Sequence, residues 1–178
     1  MNITISGPPG SGKTTVGKML AQEIGYEFIS TGMVFRDMAK ERGMNLADFG
    51  ELALKDHEID KELDKRIIAI TREKKDLVLE GRLAGQMLHL NGIKAFKIWV
   101  DAHILIRAER IAGREEKNPE LVRQEIEERA QCEWQRYHDI YEIDLNSLAV
   151  YDLIVHSDDS SPEEIVAEIV EKLEAKDD

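Results

Sequence analysis

The residues Gly7, Pro8, Pro9, Gly10, Ser11, Gly12, Lys13, Thr14 and Thr15 have the types and spacing needed to hold the phosphates of a nucleotide. A triphosphate requires several backbone N–H groups converging on its oxygens, and a chain wraps that tightly only where glycines admit positive φ and leave room for the ligand. Lys13 then reaches the β and γ phosphates, the Thr14 hydroxyl can face Mg²⁺, and a helix opening at the loop adds its positive end to the site. A chance glycine-rich turn would lack the flanking pattern seen here. The apolar run Ile3-Thr4-Ile5 precedes the loop, and Val16, Met19, Leu20 and Ile24 follow at helical spacing.

Arginines supply the next layer of chemistry. Arg36 lies in the helix predicted to open at Thr31-Gly32, and Arg82 follows an apolar strand in Glu80-Gly81-Arg82. Arg107, Arg110 and Arg114 are three and four apart, and Arg129 and Arg136 are seven apart, so each set shares a helix face. The planar arginine fork binds phosphate oxygens bidentately and stabilises the charge that spreads during phosphoryl transfer. The bland alternative for each is a surface ion pair with a glutamate, which weighs most for Arg107 and Arg123 and least for Arg82. Glu80, ending Leu77-Val78-Leu79, stands where a P-loop enzyme holds Mg²⁺ through water; Asp101, ending the next strand, competes for that role.

These residues need a parallel sheet to bring them to one edge. Five strands are expected, at 2–6, 27–30, 76–80, 95–101 and 152–156, alternating with helices and apolar enough to be covered on both faces. The fold class is therefore α/β, a single domain over 1–178. Two polar stretches are too long for simple crossovers: 31–75, expected to be helical with one break at Gly43, and 114–149, expected to form a short helical lid. Ser161-Pro162-Glu163-Glu164 reads as a capping box opening a final helix.

Composition narrows the partners. A formal net charge of −12 disfavours broad binding to nucleic acid or to an anionic membrane. No run approaches the roughly 20 apolar residues of a membrane span, and no signal peptide is visible, so a cytoplasmic protein is expected. Cys132 is the only cysteine, which leaves no internal disulfide and no cysteine-based zinc site.

What accepts a phosphoryl group is a matter of acid–base chemistry. An alcohol acceptor needs a base, and Phe28-Ile29-Ser30-Thr31-Gly32 offers no carboxylate at the end of the second strand. A nucleoside monophosphate is already mostly ionised at pH 7, with a second phosphate pKa of about 6, so positioning and charge stabilisation suffice. Asp37, Asp60 and Asp64 remain available as bases.

Taken together, Gly7 to Thr15, Ile29-Ser30-Thr31-Gly32 with Arg36, Leu79-Glu80-Gly81-Arg82-Leu83-Ala84-Gly85 and Tyr151-Asp152-Leu153-Ile154 resemble the archaeal type of cytidylate kinase, over essentially the whole chain. Glu58-Ile59-Asp60 and Arg107-Ala108-Glu109-Arg110-Ile111 match the same group. The resemblance implies a three-layer P-loop kinase fold with a helical monophosphate-binding segment at 31–75 and a lid at 114–149. It also implies ATP:CMP phosphotransfer, with CMP and dCMP as acceptors and Mg²⁺ as cofactor. Under it, Gly7 to Thr15 bind ATP with Arg110 beside the adenine or its phosphates. Arg36 and Arg82 hold the CMP phosphate, Thr31 and Gly32 line its pocket, and Arg129 and Arg136 join Lys13 in clamping the transferring group. Bacterial relatives carry Asp where this chain has Leu83, so cytosine contacts do not transfer, and Asp56, His57 or Asp60 are the candidates for reading the base. Adenylate or uridylate kinases would use the same parts. A regulatory ATPase of ribonucleoprotein assembly is the rival from another class, disfavoured by Arg82 and the acidic balance. A monomer is expected, with a dimer left open.

Overall fold

In the computed structural model, which describes residues 1–177, each strand runs into its loop or helix at the same edge of one sheet. The order along the chain is β1 (Ile3–Ser6), α1 (Lys13–Ile24), β2 (Glu27–Ser30), α2 (Thr31–Glu41), α3 (Leu46–Lys55), α4 (His57–Glu73) and β3 (Leu77–Glu80). Then come α5 (Ala84–Leu90), β4 (Phe96–Asp101), α6 (Ile104–Glu115), α7 (Pro119–Tyr141), β5 (Leu153–His156) and α8 (Pro162–Asp177). All strand pairs are parallel, in the order β2-β3-β1-β4-β5. From β1 the chain goes to the edge strand β2, returns to β3 beside β1, and then crosses to β4 and β5 on the other side; ligands of such sheets bind outside the carboxyl ends of the strands where the winding changes direction.

Burial explains why the strands are nearly all apolar. Ile3, Ile5, Leu77, Val78, Leu79, Ile98 and Val100 are inaccessible because helices cover both faces. One face packs on α1 and α8 through Val16, Leu20, Ile165 and Ile169. The other packs on α2 to α5 through Met38, Phe49, Ile67 and Leu88. The edge strand β5 is only partly covered. A separate small cluster, Ala108, Ile111, Ala112, Val122 and Ile126, joins α6 to α7. Those two helices therefore hold each other more firmly than they hold the sheet.

Four of the five strands start one residue later than the sequence suggested, a difference within the ordinary fraying of element ends. The stretch 31–75 departs from expectation more clearly. It breaks twice, at Gly43 and again at Asp56, whose side chain accepts a hydrogen bond from the Glu58 N–H and caps α4. Most of 114–149 is the single 23-residue helix α7, capped by Asn118 with Pro119 in its first turn, followed by a loop. The capping box at α8 is formed: the Ser161 N–H donates to Glu164 and the Glu164 N–H donates to the Ser161 hydroxyl. Among the described residues no helix is long and apolar enough to cross a membrane.

Candidate active site

The loop from Gly7 to Gly12 is shaped by what holds it from outside. Gly10 and Gly12 have φ of 79° and 87°, in the left-handed region that an L side chain rarely enters. The successive carbonyls of Pro9, Gly10 and Ser11 accept hydrogen bonds from Arg107 (3.3 Å), Arg110 (3.2 Å) and the Ser157 hydroxyl (2.6 Å). Inside the loop the Ser11 N–H donates to the Pro8 carbonyl at 3.3 Å. Gly12 caps α1 with no side-chain hydrogen bond, so the first-turn donors at Lys13, Thr14 and Thr15 are left for an anion. This arrangement corrects the expectation for Arg107: it is no surface ion pair, but braces the loop through Pro9 and Ala102.

Lys13 and Glu80 meet under that loop. The Lys13 ammonium reaches the Pro8 carbonyl at 3.4 Å, and burial pushes its pKa down while Glu80 pulls it back up. Glu80 is buried at the end of β3, its pKa raised by burial against the pull of Lys13. The Thr14 hydroxyl donates to a Glu80 carboxylate oxygen at 3.2 Å. Mg²⁺ is held by few carboxylates, substrate phosphates and waters, and a hydroxyl beside one carboxylate at a phosphate loop fits that donor set. Among the described residues no group of three acidic, histidine or cysteine side chains forms a complete protein cage for a metal. Asp101 makes no contact with Thr14; its carbonyl accepts from the Ser157 N–H.

On the outer side of the loop a cavity of about 300 Å³ is lined by Gly10, Gly12, Thr15, Arg110, Arg114 and Ser157, among others. Arg110 is fixed there by the Ser157 hydroxyl and carbonyl. On the inner side, Gly81 brings the end of β3 against α2: a Cβ at Gly81 would lie 2.5 Å from the Thr31 methyl. Thr31 and Arg82 therefore share a second, smaller cavity of about 80 Å³ with Leu63, Asp64, Ile67 and Tyr137. Arg36 is exposed, with no hydrogen bond or ion pair among the described residues, and the Gly32 backbone passes beside its guanidinium.

Arg129 and Arg136, both on α7, turn to different partners. Arg129 and Arg82 converge on Glu133, at 3.0 and 2.6 Å. The Arg82 approach is an ion pair lying off the hydrogen-bonding axis, since that Glu133 oxygen has no hydrogen-bond partner. Arg136 turns instead to Asp60 at 3.6 Å on α4. Asp60 is thereby engaged at the α4–α7 contact, outside the lining of the smaller cavity, while Asp56 and His57 are exposed at the start of α4. Arg123 is the surface ion pair expected, bridging Glu120 and Glu127.

Sequence reasoning missed Glu133 and Ser157. Glu133 had one visible signal, its position four residues after Arg129 and three before Arg136, the spacing of helix neighbours. Ser157 had none.

Comparison with known proteins places these features in a lineage. The description of the cytidylate kinase-like family matches residues 2–159. A cytidylate kinase of Methanococcoides burtonii is 50% identical over 88% of this chain and 87% of its own. A cytidylate kinase of Halobacterium salinarum is 45% identical over 98% of this chain and 90% of its own. Among solved structures, a shikimate kinase from Bacteroides thetaiotaomicron superposes over 98% of both chains with a TM-score of 0.68 at 18% identity, a likeness of fold alone.

Proposed function

The chain belongs to the cytidylate kinase-like family, and from that premise we propose that it transfers the γ-phosphoryl group of ATP to CMP, and to dCMP, with Mg²⁺. The observation that carries the chemistry is the placement of Lys13, Thr14 and Glu80 at one phosphate loop, with the Arg82 charge acting on Lys13 and a cavity of about 300 Å³ beside the loop. A donor nucleotide suits the outer cavity, with Arg110 in its lining, and the acceptor phosphate would lie near Thr31 and Arg82, with Gly32 and Arg36 following on α2.

The residues would act mainly by placement. Loop N–H groups, Gly7 to Thr15, and the Lys13 ammonium hold the donor phosphates and meet the charge that develops on them. Thr14 and Glu80 would hold Mg²⁺, which supplies charge neutralisation across the phosphates. Arg82, Arg129 and Arg136 neutralise the acceptor and the group in flight once α7 closes. No general base is required, because the acceptor phosphate is already ionised. The segments 31–75 and 114–149 serve as the monophosphate-binding part and the lid of one domain. The same reading fits a cytoplasmic enzyme of small nucleotides, acting as a monomer and needing neither nucleic acid nor membrane.

The deciding experiment is ADP formation from Mg-ATP with CMP, dCMP, UMP and AMP supplied singly, plus a reaction without acceptor. Turnover dependent on CMP and dCMP supports the reading. Slow ADP release indifferent to the acceptor would overturn it in favour of a regulatory ATPase.

A further inference from the structure

One buried ionisable group beside the phosphate-binding cations has no part in the transfer chemistry above. Glu133 of α7 is buried, and its two oxygens face Arg82, after β3, at 2.6 Å and Arg129 of its own helix at 3.0 Å. Among the described residues no other carboxylate lies within ion-pair distance of Arg82. The Glu133 charge also reaches the phosphate loop, where it helps to hold the Lys13 pKa up against burial. Its place is set by what packs on either side of it along α7. Val122 and Ile126, in the first half of the helix, pack against α6, and Tyr137 and Tyr141, in the second, pack against the core under α2 to α5.

A carboxylate at this point is a necessary but imperfect partner for Arg82. Burial pushes the Arg82 pKa down and the Glu133 charge pulls it back up, so a guanidinium taken out of water in the empty site needs that anion. Yet the Glu133 oxygen facing it makes no hydrogen bond. The pair therefore has Coulomb attraction without the directed fork that makes arginine–oxyanion contacts strong. A phosphate monoester brings three oxygens and about two charges at pH 7, and it can take that fork bidentately. Resting on the phosphotransfer reading above, we propose that Glu133 is a positioning residue: it occupies Arg82 as an internal anion while the acceptor site is empty and yields it to the acceptor phosphate. Arg82 thus stays charged and aimed in the free enzyme. Acceptor binding then breaks the ion pair between α7 and the end of β3, so filling the site also releases the middle of α7. The consequence is an apparent acceptor affinity lowered by the fraction of molecules in which Arg82 is already free.

The test measures kcat and KM for CMP and for ATP in wild type, Glu133→Gln, Arg82→Ala and the double variant. An ion pair partly open to water corresponds to roughly 10- to 30-fold in the occupancy of Arg82. KM for CMP should fall by about that factor in Glu133→Gln, with KM for ATP retained. In the Arg82→Ala background the same substitution should give no further fall, because the two residues act through one contact. An unchanged or raised KM for CMP in Glu133→Gln would mean that Glu133 only braces α7, and would overturn the proposal. So would an equal fall with Arg82→Ala in place, which would make the effect one of general charge. Should Glu133→Gln fail to fold, Glu133→Asp keeps the charge and withdraws the carboxylate by one methylene; its KM for CMP should fall by a smaller factor, and an unchanged KM overturns the proposal. Calorimetric titration with inorganic phosphate, a non-hydrolysable ATP analogue filling the loop, separates this proposal from the reading it rests on. Glu133→Gln should bind phosphate more tightly by the same factor as the fall in KM. That gain without turnover of any monophosphate overturns the phosphotransfer reading alone; CMP turnover with equal phosphate affinity in the two proteins overturns this proposal alone.

Discussion

Replacing Glu133 by glutamine should separate the energy of holding the arginines from the energy of binding phosphate. The carboxylate is only 10% exposed and neutralises Arg82, itself 25% exposed, at 2.6 Å; its second contact, to Arg129, involves a side chain 68% exposed. Breaking a fully buried pair costs about 3–5 kcal/mol. Partial exposure of Arg82 reduces that to about 2 kcal/mol, and the solvent-facing Arg129 arm adds no more than about 0.5 kcal/mol. For a chain of this size, about 2 kcal/mol lowers Tm by about 4–8 °C. Glutamine keeps the volume of the side chain, so the loss reports charge rather than packing. Thermal unfolding with and without inorganic phosphate reads both halves of the argument. Phosphate carries no base or ribose and tests the arginines alone. It should raise Tm by more in Glu133→Gln than in wild type, because it no longer competes with an internal carboxylate for Arg82. An unchanged Tm, or a phosphate shift equal in the two proteins, would refute the idea that Glu133 occupies the arginines in place of a phosphate.

Lys13→Ala should reduce CMP phosphorylation by about 10²–10³-fold, the scale of losing a preorganised charge on the transferring group; near-normal turnover would exclude the phosphate-loop mechanism. Arg82→Ala should raise KM for CMP by roughly 10- to 100-fold with ATP binding retained, the scale of a hydrogen bond to a charged group, and an equal loss of ATP binding measured by titration would place Arg82 in the wrong half of the site. Burial pushes the Asp64 carboxyl up to about 6, against the pull of the Tyr141 hydroxyl and of Arg136 and with the push of Asp60, while Tyr137 also faces it from α7. A raised carboxyl pKa means that the folded state holds the proton more tightly, so this group's contribution is most favourable at low pH and falls as pH rises through about 6. Asp64→Asn should therefore gain about 1 kcal/mol relative to wild type between pH 5 and pH 7.5 in denaturant titrations; a pH-independent difference would show that the carboxyl is not desolvated. Gly85→Ala would drive a methyl to within 2.5 Å of the Tyr151 ring and should cost about 1–3 kcal/mol by overpacking, seen as a lower midpoint of unfolding.

Local chemistry is what the sequence alone determined. The phosphate loop, the strand before it and the helix after it are contiguous, and their geometry follows from glycine backbone freedom, an apolar run and helical spacing within 22 residues, 3–24. The same holds for the α8 capping box and for the inner strands β1 and β3, whose near-continuous apolar character leaves no other use for them. The second break, at Asp56, was invisible because Lys55-Asp56-His57 is polar in sequence whether it continues a helix or caps the next one. Tertiary structure alone decided which charges meet. Glu133 lies 51 positions from Arg82, Tyr141 lies 77 from Asp64, and Ser157 lies 146 from the Ser11 carbonyl that it holds. Pairings of that range depend on how α7 packs over α4 and how β5 registers against β4. An arginine or an aspartate reads the same in sequence whether it faces solvent, a carboxylate or an apolar slot. Its role is set by the neighbours that desolvate it and the partner that compensates the desolvation, and both come from elements distant in the chain.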